Sequence, residues 1–303
     1  MSSSNKVDLK INLFVFFQFS LISPFGGGKY PSSTNFLSIS FFTVLLTKSL
    51  LTRSVSEIKL SCEIPNEFNI TISNLSEDTR NQILTETNVL DRQIVNKKVY
   101  VYAGRESTGY SLIYFGGIRM VSVSQPPNIK ITLQTFTGEL QKVETSIRSG
   151  GELIRLSVLS QQIASGLGLN LIFEASDRNI GSYSYSGSKL KEVEKLNELI
   201  NINAYIDDNN LIVRNKNTAL TGYVYNISQR NGMVGIQEIN ERGVLVKTLF
   251  NNDIKIGGTV NVESSLNPNA NGSWLINRLT YDLQNRDKSF YVSIDGIRNL
   301  NNV

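Results

Sequence analysis

Apolar and polar residues alternate with period two along most of the first half of the chain, the spacing of strands with one buried face. Phe36–Phe41, Glu57–Cys62 and Glu67–Ser73 follow this pattern, and Ile129–Phe136 repeats it. Val99–Tyr102 and Leu112–Ile118 read as a hairpin across a loop at Gly104–Gly109. Between Glu67–Ser73 and that hairpin, Ser76 or Asp78 can cap a short helix that runs to Leu84, with acidic residues at its positive end.

The period changes after residue 148. Leu156, Leu159, Ile163 and Leu167 recur at spacings of three and four, which makes one apolar helix face, and Gly166 and Gly168 stop the helix. A strand is expected at Leu169–Phe173. Ser188 caps a second helix, with Leu190, Val193, Leu196, Leu199 and Ile200 expected inward. Lys191, Glu192, Glu194, Lys195 and Glu198 are expected outward. Ala204–Asp207 and Asn210–Arg214 form a hairpin about the turn Asp208-Asn209. Strand patterning returns after residue 217, with Asn231-Gly232 and Asn271-Gly272 as hairpin-turn signals. The expected fold is mainly β with an α/β insert. An N-terminal β-barrel domain spans 1–147, a helix-strand-helix-hairpin module 148–217, and a C-terminal β-barrel domain 218–303. Each helix of the module has a single apolar face, so the module is expected to hold a small core of its own.

Composition narrows the function. The 303 residues include 40% hydrophobic and 18% charged side chains, a globular balance. Thirty basic against 26 acidic residues give +4, spread too evenly for a nucleic-acid-binding stripe. Histidine is absent, which removes Ser-His-Asp and Cys-His chemistry and the commonest zinc sites. Cys62 is the single cysteine, so neither an intrachain disulfide nor a thiolate cluster can form. Asp207-Asp208 sits on a turn, where Asp is favoured for backbone reasons. Gly26-Gly27-Gly28-Lys29 lacks the spacing of a phosphate loop, and Gly166-x-Gly168 follows a helix rather than a strand. Four Asn-x-Ser/Thr sequons carry little weight in an Asn- and Ser-rich chain. No catalytic, cofactor-binding or metal-ligating constellation is read, and an enzyme is not expected.

The apolar run Ile11–Ile22 follows Lys6 and Lys10 in the manner of a signal peptide, but Asp8 and Gln18 interrupt it and it is short for a membrane span. It reads instead, with 36–46, as a pair of aromatic-rich strands, and no stable membrane insertion is expected. Adjacent aromatics in a strand face opposite sides, so one of each pair needs another layer or subunit to cover it. Phe14, Phe16, Phe17, Phe36, Phe41 and Phe42 are therefore candidate assembly-interface residues, in an extension that pairs with a neighbouring subunit or ring.

Four phrases carry a family resemblance. They are Phe68-Asn-Ile-Thr-Ile-Ser-Asn-Leu-Ser-Glu-Asp-Thr-Arg80; Val99-Tyr-Val-Tyr-Ala-Gly104 with Leu112-Ile-Tyr-Phe-Gly-Gly-Ile118; Ala204-Tyr-Ile-Asp-Asp-Asn-Asn-Leu-Ile-Val213; and Gly243-Val-Leu-Val-Lys-Thr-Leu-Phe250 before Ile256-Gly-Gly-Thr-Val260 and Asn271-Gly-Ser-Trp-Leu-Ile276. In this order, over residues 52–300, the chain resembles baseplate hub proteins of contractile phage tails, the broad family that includes late control protein D. The resemblance implies a structural homotrimer whose six tube-like β-barrels form a pseudo-six-fold ring joining the tail tube to the central spike. Implied partners are tube or tube-initiator ring proteins, the spike and a tape-measure protein, with DNA only as passing cargo and no cofactor. Assembly would take place in the host cytoplasm, and the product would reside in the virion baseplate. The alternative reading is a ring-forming component of a bacterial secretion or pilus-type machine, since residues 148–217 share the element order of secretin ring modules.

Overall fold

The computed structural model describes residues 11–18, 41–44, 54–61, 66–73, 75–86, 98–105, 109–138, 144–149, 151, 153–284 and 290–298. In the first half, β1 (Ile11–Gln18), β2 (Phe41–Val44), β3 (Ser54–Ser61) and β4 (Glu67–Ser73) precede α1 (Glu77–Glu86). After it come β5 (Lys98–Arg105), β6 (Gly109–Val123) and β7 (Lys130–Phe136). These strands lie in the order β3-β4-β7-β6-β5-β1-β2, each antiparallel to its neighbour. The predicted alternation is present in β4, where Phe68, Ile70 and Ile72 are buried while Glu67, Asn69, Thr71 and Ser73 are half-buried. Five of the six candidate interface aromatics fall in β1 and β2, which pair with each other as expected. Strand β1 also pairs with β5 of its own chain along its whole length.

The central module contains β8 (Thr145–Ser149), β9 (Leu153–Arg155), α2 (Leu156–Leu167), β10 (Asn170–Glu174), β11 (Asn179–Gly181) and β12 (Ser184–Ser188). It continues with α3 (Lys189–Leu196), β13 (Ile202–Asp207) and β14 (Asn210–Asn215). Strands β10, β14 and β13 form a three-stranded sheet, while β8 pairs with β12 and β9 with β11. Helix α2 buries the predicted face and ends at Gly168, whose φ of 70° suits glycine. The Ser188 side chain accepts from the Lys191 N–H, the expected cap. Two expectations for this region fail. Glu192, expected outward, is buried and paired with Arg148. Ile200, expected inward, is 82% exposed, because α3 ends at Leu196 and the helical face no longer extends to it. Asn197 takes over there, donating from Nδ2 to the Ala204 carbonyl and accepting from the Ala204 N–H.

The last third holds β15 (Val224–Ser228), β16 (Met233–Asn240), β17 (Gly243–Leu249), β18 (Thr259–Glu263), a 3-10 turn at Pro268–Ala270, β19 (Gly272–Gln284) and β20 (Phe290–Arg298). Asn231-Gly232 forms a turn, but not that of a hairpin, because β15 pairs in parallel with β18 rather than with β16. Strand β19 joins the two halves of the molecule. Its first residues pair with β18 and its last seven, Arg278–Gln284, with β3. A register shift against β20 falls between Ile276 and Arg278, where β19 changes neighbours, and a bulge of this kind increases local twist. One sheet thus runs through both β halves, from β16 to β2.

Two hydrophobic cores follow. The larger draws Phe68, Val101 and Leu133 from the first half and Val246, Leu279 and Ile294 from the last. The smaller lies within the central module, around Leu159, Ile163, Leu196 and Val213.

Candidate functional site: the insert junction and the outer strands

The module meets the β body through its terminal hairpin. Tyr205 on β13 and Ile212 on β14 belong to the core of the body rather than to that of the module. The Tyr205 hydroxyl hydrogen-bonds the Ile256 carbonyl at 3.4 Å. At the tip, Asp208 adopts φ 50°, a left-handed conformation that Asp tolerates in tight turns. The turn was legible in the sequence, but its surroundings were not. Asp207 Oδ1 accepts from Asn66 Nδ2 at 3.0 Å, from the residue that leads into β4. The backbone N–H of Phe115, on β6, favours the ionised form of Asp208. Lys255, between β17 and β18, supplies a positive field to both carboxylates.

Burial pushes the Asp207 carboxyl up to about 7, and the adjacent Asp208 adds to the shift, while Lys255 and the Asn66 hydrogen bond oppose it. Burial likewise raises Asp208. The neighbouring phenols of Tyr281 and Tyr114 are raised above the usual tyrosine range, chiefly by burial and then by these carboxylates in the case of Tyr281. One sequence signal pointed this way. Ala204-Tyr-Ile206 and Leu211-Ile-Val213 carry no polar alternation, as in strands covered on both faces.

A groove of about 710 Å³ opens between the end of the β5–β6 hairpin and the C-terminal half, with Tyr225, Asn226, Arg230, Asn231, Asn252 and Asp253 among its walls. Its amides largely serve the fold. Asn231 Nδ2 donates to the Asn226 carbonyl at 2.7 Å, Asn261 Nδ2 donates to Asn226 Oδ1 at 2.9 Å, and Asn251 Oδ1 accepts from the Asp253 N–H. Among the described residues, no three His, Cys, Asp or Glu side chains group closely enough to hold a metal ion.

Of the candidate interface residues, Phe14, Phe16 and Phe17 lie on β1 and Phe41 and Phe42 on β2, while Phe36 lies outside the described residues. The register sets Phe17 opposite Phe42 and Phe41 opposite Gln18, and places Phe14 and Phe16 opposite Tyr102 and Tyr100 of β5. This brings the predicted aromatic positions together at one end of the long sheet.

A family model described as "Baseplate hub gp41" matches residues 37–296, most of the chain. The chain belongs to the baseplate hub gp41 family. Solved structures agree with this hub on the fold. The 43 kDa tail protein of prophage MuSo2 from Shewanella oneidensis is 10% identical, with TM-score 0.57 over 94% of this chain and 96% of its own. A tail protein from Neisseria meningitidis is 9% identical, with TM-score 0.55 over 82% and 95%. The c3393 protein of E. coli, a component of the type VI secretion system, is 11% identical, with TM-score 0.51 over 82% and 73%. No curated protein sequence matches the hub. Among its described residues no helix is long and apolar enough to cross a membrane.

Proposed function

We propose that this hub chain is a non-enzymatic subunit of a trimeric ring that joins the tail tube of a contractile phage to its central spike. Family membership supports a hub role in the tail. The observation that carries the finer reading is the pairing of β19 with β3 from Arg278↔Ser61 to Gln284↔Val55. It fuses the two β halves into one sheet, so each chain would offer the ring two β units at a fixed angle. Three chains then offer six, which matches a six-fold tube on one side and a three-fold spike on the other. The long sheet ends in β16 on one side and β2 on the other, and each has a single partner strand among the described residues. Unpaired edges of this kind call for a cover, and a neighbouring subunit supplies one.

Native mass spectrometry of the purified chain, alone and with its tube and spike proteins, tests this reading. A trimer, or a trimer formed only with partners, is the expected result. A monomer under both conditions overturns it.

A further inference from the structure

The hairpin that carries Asp207 and Asp208 reaches out of its own module and ends against both β halves. Asn66 and Phe115 belong to the first half, and Lys255 to the second. Tyr205 and Ile212, just behind the turn, are inserted into the core of the body. We propose that the Asp207-Asp208 turn is a latch that seats the central module on the β body and loosens when its carboxylates ionise.

The charges facing the turn determine the direction. From the module itself Asp207 and Asp208 face each other. Among the described residues, the body contributes one cation, Lys255, the neutral amide of Asn66, and the phenols of Tyr281 and Tyr114, with Glu67 adding a further negative field at Tyr114. One positive charge thus meets two carboxylates in a half-buried site. The protonated pair sits there at little cost, whereas the ionised pair must hold like charges side by side where water reaches them only in part. Both groups are raised while the latch is closed and return to the ordinary carboxylate range once it opens into solvent. Protons therefore favour the closed state. Stability of the seat is greatest below the ordinary carboxylate range and is lost as pH rises through the raised values of the closed state.

Hydrogen exchange on the full chain at pH 5.5 and 8.5, corrected for the intrinsic pH dependence of exchange, tests the latch. Peptides covering 202–215 are compared with β17, which lies in the core of the body. Opening at 202–215 relative to β17 is expected to rise at least about tenfold between the two conditions. Asp207→Asn with Asp208→Asn should abolish the rise, since Asn keeps the acceptor for Asn66 and tolerates the left-handed backbone at 208. Lys255→Met, which removes that opposing cation, should enlarge it. An absent rise in the native chain, an undiminished one in the double Asn variant, or an unaltered one in Lys255→Met overturns the proposal. None of these outcomes depends on ring formation.

Discussion

A Cβ placed on Gly257 would stand 2.4 Å from the hydroxyl of Tyr205, so the β body and the insert meet where glycine leaves room for a phenol. Gly257 also has φ 80°, and its N–H donates to the Ile276 carbonyl at 2.9 Å, which holds the segment beside β19. Gly257→Ala combines a left-handed backbone with a clash, and should destabilise the chain by about 1–2 kcal/mol. The urea midpoint measures this. An unchanged midpoint would mean that neither the left-handed backbone nor the contact with Tyr205 requires glycine at this position.

Arg148 Nε lies 2.7 Å from Glu192 Oε1, whose side chain is 2% exposed. The pair ties β8, where the chain enters the insert, to α3. Arg148→Met leaves a buried carboxylate without its partner and should cost about 3–5 kcal/mol, while Arg148→Met with Glu192→Met should recover most of that loss. A double-mutant cycle by chemical denaturation separates the two. Equal losses in the single and double variants would show that shape rather than charge matters at this site.

Helix α2 lacks a side-chain cap from its own N-cap residue, Arg155, and takes one from Asp177 instead. Asp177 accepts from the Ser157 N–H at 3.0 Å and from its hydroxyl at 2.8 Å, and these bonds hold its carboxyl below the usual range. The stabilisation is present above the ordinary carboxylate range and is lost as pH falls through the depressed value. Asp177→Ala should therefore lower the melting temperature at pH 7 and leave it nearly unchanged at pH 2. An equal drop at both pH values would rule out a charge-dependent cap.

Strand β1 pairs with β5 from Ile11↔Arg105 to Gln18↔Lys98, and β5 buries Val99, Val101 and Ala103 in the body. Deleting residues 1–46 removes β1 and β2 and leaves β5 as a bare edge. Such an edge recruits other chains, so the truncated protein should aggregate. Light scattering at matched concentration provides the check. A monodisperse truncated chain would show that β5 needs no cover.

Sequence alone determined what depends on neighbours a few residues apart. The alternation of Phe68, Ile70 and Ile72, the face of Leu156, Leu159, Ile163 and Leu167, the Ser188 cap and the turn at Asp208 are all present in the structure. Pleat and helical pitch impose those periods whatever the rest of the chain does. Residues decided by distant partners could not be read this way. Glu192 goes inward because Arg148, 44 positions earlier, neutralises it, and Asp207 is half-buried against Asn66, 141 positions away. Strand β19 leaves β18 for β3 where its register against β20 shifts, and no local pattern encodes that change of neighbour. Burial of a polar group is stabilised only by the partner it finds, and here the folded chain supplies that partner from far along the sequence.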